Sequence, residues 1–140
     1  MAQYTREELE TIGMKVLTDF LVTFNTCDPM KWTSTLNFPH VRLAGGKVQV
    51  WKTPEEYARD NAVDVLRERC NWAHTEWDDR KLIQAADDKI HIAVSVSRYT
   101  PEEKKIVSFD SFYIITNVDG HWGVQCRSSY AGIFDANTAY

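Results

Sequence analysis

"SFYIITNVDGHWGVQCRSSY", residues 111–130, is the stretch on which the reading of this chain turns. Two alternating segments flank Asp119-Gly120, a dipeptide suited to the positive backbone angles of a two-residue hairpin turn. With that turn closed, Val118 faces His121 and the register follows. Ile115 falls opposite Val124, Tyr113 opposite Cys126, Ser111 opposite Ser128 and Phe109 opposite Tyr130. The other face pairs Phe112 with Arg127 and Asp110 with Ser129, leaving Arg127 and Asp110 as diagonal neighbours.

The pattern extends upstream. "KIHIAVSVSRY", residues 89–99, alternates, and a "TPEEKK" loop that sets Tyr99 opposite Ile106 puts Ile92, Val94, Val96 and Arg98 on the Tyr113 side. That side is mainly apolar and is read as concave, holding core and pocket. His91, Ser95, Asp110, Gln125 and Arg127 then lie on a convex, polar face. A slip of one residue would exchange the two faces.

Before the strands the period is helical. Thr5 and Glu8 form a capping box, followed by Leu9, Ile12, Val16, Leu17, Phe20, Leu21 and Phe24 at threes and fours. Asp28 and Pro29 start a short second helix, closed by Asn37 and Pro39. "HVRLAGGKVQVW", residues 40–51, reads as a small hairpin about Gly45-Gly46. Thr53, Pro54 and Glu56 then open a helix that should run to about Arg69. Helices first and an antiparallel meander afterwards imply an α+β fold: three N-terminal helices packed on one curved sheet. The 140 residues fit one domain, 1–140, with a core over about 5–130 and a tail over 131–140.

Composition narrows the function. A net charge of −4 with dispersed Lys and Arg argues against a nucleic-acid face. No apolar run approaches the ~20 residues of a membrane helix, and residues 1–10 lack the layout of a signal peptide. Cys27, Cys70 and Cys126 show no paired spacing, which suits reduced thiols in a cytoplasmic protein. His40, His74, His91 and His121 lie on separate elements with no metal-binding spacing, so no metal is expected.

The order of elements resembles the nuclear-transport-factor-2-like superfamily, which includes ketosteroid isomerases and SnoaL-like polyketide cyclases. "DFLVTFNTCDPMKW" (residues 19–32), "FPHVRLAGGKV" (38–48) before "TPEEYA" (53–58), and residues 111–130 carry the likeness. It implies a cystatin-like cone whose mouth accepts a small apolar molecule without a cofactor, and a homodimer formed through the convex sheet face. It does not imply the isomerase's machinery. Phe20 stands where the oxyanion-binding tyrosine would be, Leu43 or Ala44 near the general base, and Phe112 or Tyr113 near the carboxylic donor.

Function must therefore be argued from candidate groups. His40 titrates near neutrality and sits at the rim of the cone; a backbone-bonded hairpin histidine is its plain alternative. Arg42 shares its side of the strand. His74, Glu76, Asp78 and Arg80 alternate, so His74 with Asp78 offers an acid–base pair, or else a solvated strand face with Trp77 turned inward. Tyr113 is the candidate donor to a carbonyl. Arg98 shares the Tyr113 face and needs a carboxylate partner, Asp79 or Glu76, or a ligand. Phe20, Trp32, Leu43, Trp51, Tyr57 and Trp77 complete the expected pocket wall. If catalytic, the chemistry expected is cofactor-independent proton transfer: isomerisation, cyclisation or dehydration. The rival is a non-catalytic dimerisation or carrier domain.

Overall fold

The computed structural model describes residues 2–131; the rest of the expected tail lies outside the described residues. The elements are α1 (Arg6–Asn25), α2 (Pro29–Thr33), β1 (Leu36–Ala44), β2 (Lys47–Trp51), α3 (Pro54–Asp60), α4 (Asp64–Cys70), β3 (His74–Ala85), β4 (Lys89–Tyr99), β5 (Lys105–Val118) and β6 (His121–Ser129).

The capping box at α1 is present: Thr5 Oγ1 accepts from the Glu8 amide at 3.1 Å, and Glu8 Oε1 from the Thr5 amide at 3.0 Å. The α1 stripe buries Leu9, Val16, Leu17, Phe20, Leu21 and Phe24, each apolar side chain stabilising the fold by roughly 1.5–3 kcal/mol. Gly13 lets the helix approach the sheet; a Cβ there would stand 2.8 Å from Ile92 Cδ1. Asn37 and Pro39 do not terminate α2, as expected from sequence, but lie within β1. The helix expected over Pro54–Arg69 is also divided. Asn61 leaves the helical region at φ −123° and ψ 55°, and its fully buried side chain returns to the Tyr57 carbonyl at 2.9 Å. Asn competes with the helix backbone in this way, so α3 and α4 are separate turns.

The strands form one open six-stranded sheet in the order β2-β1-β6-β5-β4-β3. All neighbours are antiparallel except β1 and β6, which run parallel. Helix α1 packs against β3, β4 and β6, strands spread across most of the sheet, so the sheet curls around it. Gly123 permits the close approach of β6 to β1; a Cβ there would meet the Leu36 carbonyl carbon at 2.8 Å.

The hairpin register begins as its turn dictates, with Val118 opposite His121 and Ile115 opposite Val124. It then shifts. Ile114 pairs with Cys126 and Tyr113 with Arg127, so Gln125 is an extra residue bulged out of β6. Everything beyond Gln125 changes face. Arg127, expected on the convex side, is buried in the concave interior at 1% exposure. A second irregularity, at Asp78 in β3, separates the Trp77–Val96 pair from the Asp79–Ser95 pair.

The convex face carries two lateral rows. One runs Val50, Val41, Cys126, Ile114 and His91; the other runs Val48, Leu43, Ser128, Phe112 and Ala93. Val48 and Val50 are well exposed there. Leu43, expected in the pocket wall, is 43% exposed on this outer face because His40 and Arg42 take the inward positions of β1.

Candidate functional site

The interior is built around Arg127. The bulge at Gln125 turns its side chain inward, where the guanidinium lies 5.3 Å from the Phe20 ring centre and 5.5 Å from that of Trp32. Tyr113, opposite Arg127 across the β5–β6 ladder, presents its ring 5.9 Å away. Tyr57, from α3, accepts a hydrogen bond from Arg127 Nη2 at 3.0 Å. Cation–π contacts with aromatic faces offset part of the cost of burying the charge. Burial works against the Arg127 cation, but Tyr57 and Tyr113 outweigh it and raise its pKa above the ordinary value. Burial likewise pushes the Tyr113 phenol up against the pull of Arg127, so Tyr113 is a neutral donor at ordinary pH.

His40 lies beside this cluster, its ring 5.2 Å from Tyr57 and fully buried. Nδ1 donates to the Val124 carbonyl at 3.0 Å, which leaves Nε2 as a lone-pair acceptor. Burial, then the positive charge of Arg127, lowers the His40 pKa to about 3. The imidazole is thus neutral, and Nε2 has no hydrogen-bond partner among the described residues. The indole N–H of Trp32 and Nε of Arg127 are also buried without such a partner. Buried polar groups are nearly always satisfied in native proteins, and three without a described partner gather here.

Arg42 ties the rim together. Its Nη1 donates to Asn61 Oδ1 at 2.8 Å, its Nη2 donates to Gln49 at 3.0 Å, and the guanidinium stacks over Trp51 at 4.8 Å. Trp51 in turn donates to Asp60 at 2.9 Å. Arg98 faces the interior over the Phe109 ring at 5.0 Å. Burial, with Arg127 and Arg42 adding to it, lowers its pKa to about 10, so it too remains a cation. Asp79 and Glu76, the carboxylates considered for Arg98 from sequence, are exposed.

Between α1 and the sheet is a narrow recess of about 280 Å³, walled by Phe20, Phe24, Trp77, Phe109, Tyr113 and Val96, with Arg98 and Arg127 in its lining. Its clear interior space is about that of one water molecule.

The fold brings together much of what the sequence singled out. Phe20, Trp77 and Tyr113 pack mutually, at 5.3 Å for Phe20–Tyr113 and 5.7 Å for Trp77–Tyr113. Trp32, Trp51 and His40 converge on Tyr57. His74 and Asp78 do not join them. His74 stacks on Tyr99 at 5.2 Å and lies 3.4 Å from Glu76, while Asp78, bulged to the outside, accepts from the Ser97 hydroxyl. Neither reaches the recess, so they form no acid–base pair with His40 or Tyr113. Arg127 and Asn61 were missed as interior groups. An alternation pattern does not register the extra residue at Gln125, and nothing local marks Asn61 as a helix break.

Among the described residues, no group of three His, Cys, Asp or Glu side chains is placed to hold a metal ion. No helix is long and apolar enough to cross a membrane.

Solved structures show the same fold. A protein of unknown function with a cystatin-like fold from Nostoc punctiforme is 12% identical and superposes with a TM-score of 0.73 over 93% of this chain and 94% of that one. An NTF-2 like protein of unknown function from Shewanella oneidensis MR-1 gives 8%, 0.63, 86% and 98%. A ketosteroid isomerase-like protein from Erwinia carotovora atroseptica gives 14%, 0.66, 90% and 97%. No curated protein matches the chain by sequence. At these identities the likeness is one of fold, and activity does not transfer with it. The family model described as NTF2-like protein (DUF6841) matches residues 10–128, and the chain belongs to that family.

Proposed function

We propose that this protein binds a small, largely apolar molecule in the interior of its curved sheet, with Arg127 and Tyr113 holding an oxygen acceptor of the ligand. The observation that carries this is the buried cluster of Arg127, Tyr57, Tyr113 and His40, with polar atoms left unpartnered among aromatic walls. Apolar walls with a few convergent polar groups are the usual composition of a ligand site. Neutral Tyr113 and cationic Arg127 are suited to stabilise negative charge on a carbonyl oxygen. His40 is held as a weak base with pKa about 3, which suits accepting a hydrogen bond rather than abstracting a proton from carbon. Binding is therefore better supported than isomerase, cyclase or dehydratase chemistry through His40.

The narrowness of the recess favours a second reading, a non-catalytic pairing domain whose interior is a packed core. In that reading a homodimer forms through the convex face, around His91, Ser95, Asp110 and Gln125 and the apolar rows beside them; Arg127 takes no part. Native mass spectrometry of gently purified protein separates the two. Interior binding is expected to show a retained small molecule that disappears when Val96→Trp fills the recess. An empty wild-type protein, or an adduct indifferent to Val96→Trp, would overturn it.

A further inference from the structure

We infer that the ligand of this interior is an anion, an aromatic or similarly flat carboxylate whose charged end meets Arg127. The inference rests on the binding reading above and names the chemical class that the same site selects. Arg127 is 1% exposed; its Nη2 donates to the Tyr57 phenol and its guanidinium lies 5.9 Å from the Tyr113 ring centre, and both phenols are neutral when protonated. No carboxylate among the described residues pairs with it. A guanidinium withdrawn from water loses several kcal/mol of solvation, and phenols and ring faces return part of this without neutralising the charge. A carboxylate would neutralise it, and the planar guanidinium is the side chain best matched to a carboxylate's two oxygens.

The Nε–H of Arg127, buried without a partner, is a donor available for that contact, while Nη2 already serves Tyr57. The chemistry of the remaining surroundings suits the rest of such a molecule, although the recess as it stands holds about one water molecule and its side chains must part to admit a ring. Phe20, Phe24, Trp77, Phe109 and Tyr113 present rings to the recess, and Trp77 and Phe109 are the two of these that reach solvent. A flat ring inserted between them would carry its carboxylate toward Arg127, with Arg98 lining the same recess. His40 Nε2, a buried lone pair, would accept from a hydroxyl on a substituted ring.

Calorimetric titration of the full chain with 2-naphthoate and 2-naphthamide at constant ionic strength tests this, because the pair differs in charge and shares its ring. The acid is expected to bind about tenfold tighter or more than the amide, and Arg127→Gln to erase that preference. Equal affinities would overturn the anion inference and leave interior binding standing. Absence of binding by both would remove both readings. A preference that survives in Arg127→Gln would show that another cation selects the charge, and the assignment to Arg127 would fall. If that variant does not fold, the wild-type pair still decides the class. Arg127→Lys, which keeps the charge, is then expected to retain a preference for the acid; its loss would overturn selection by charge at this position.

Discussion

His40 and Arg127 are linked by one constraint: a proton on His40 would put a second charge, buried, beside the Arg127 cation. Burial and Arg127 together hold His40 near pKa 3, against an ordinary 6.5. The sign of the pH effect follows. Between those two values the unfolded chain takes up a proton that the folded chain refuses, so this contribution to stability is complete above about pH 6.5 and lost as pH falls toward 3. The steepest loss is about 1.4 kcal/mol per pH unit for one proton. His40→Asn, which keeps a donor for the Val124 carbonyl, is expected to flatten the wild-type slope between pH 6 and pH 4 by about that amount; parallel denaturant curves in the two proteins would refute the burial argument. Tyr57→Phe removes the acceptor of Arg127 Nη2 and is expected to cost about 1–3 kcal/mol in chemical unfolding.

At the level of elements, the bulge at Gln125 decides what the interior contains. One extra residue moves Arg127 from the outer face to the core and gives it to Tyr57 and Tyr113. Deleting Gln125 would remove the extra residue and leave Val124 inward, Cys126 outward and Arg127 inward on a regular ladder. That deletion is expected to keep a native-like near-ultraviolet circular dichroism spectrum, and its loss would contradict the bulge. Gly123→Ala is expected to destabilise by about 1–3 kcal/mol in urea titration, since its Cβ meets the backbone of Leu36 rather than a yielding side chain. These particulars show how far a sequence can be read. The Asp119-Gly120 turn fixes the first pairs of the hairpin, and the threes-and-fours of α1 identify its buried stripe, because both signals are local and periodic. Of the interior residues, Phe20 and Tyr113 are recognisable from those patterns. Arg127 is not, because a bulge is a single-residue event that leaves no periodic trace. The His74–Asp78 alternation reads as a possible site on a regular strand, whereas the irregularity at Asp78 and the stacking of His74 on Tyr99 place both outside.

For the whole molecule, the sheet divides two tasks between its faces. The concave side holds the aromatic and arginine cluster; the convex side exposes Val48, Val50 and Leu43 beside Phe112 and Ile114. If two copies pair there, Ile114→Lys places a charge at the middle of the joint and is expected to shift sedimentation toward the monomer without loss of helical signal. An unchanged mass in both proteins would remove that face from self-association. The claim that the interior is a binding site is tested most directly by the five indole N–H resonances. In ¹H–¹⁵N spectra recorded during titration with 2-naphthoate, Trp77 and Trp32, which flank Phe20, are expected to shift, while Trp122, in a separate groove beside α1 with His121, stays in place. Movement of Trp122 with Trp77 and Trp32 unchanged would put the ligand in the groove beside α1 and contradict a site in the recess around Arg127.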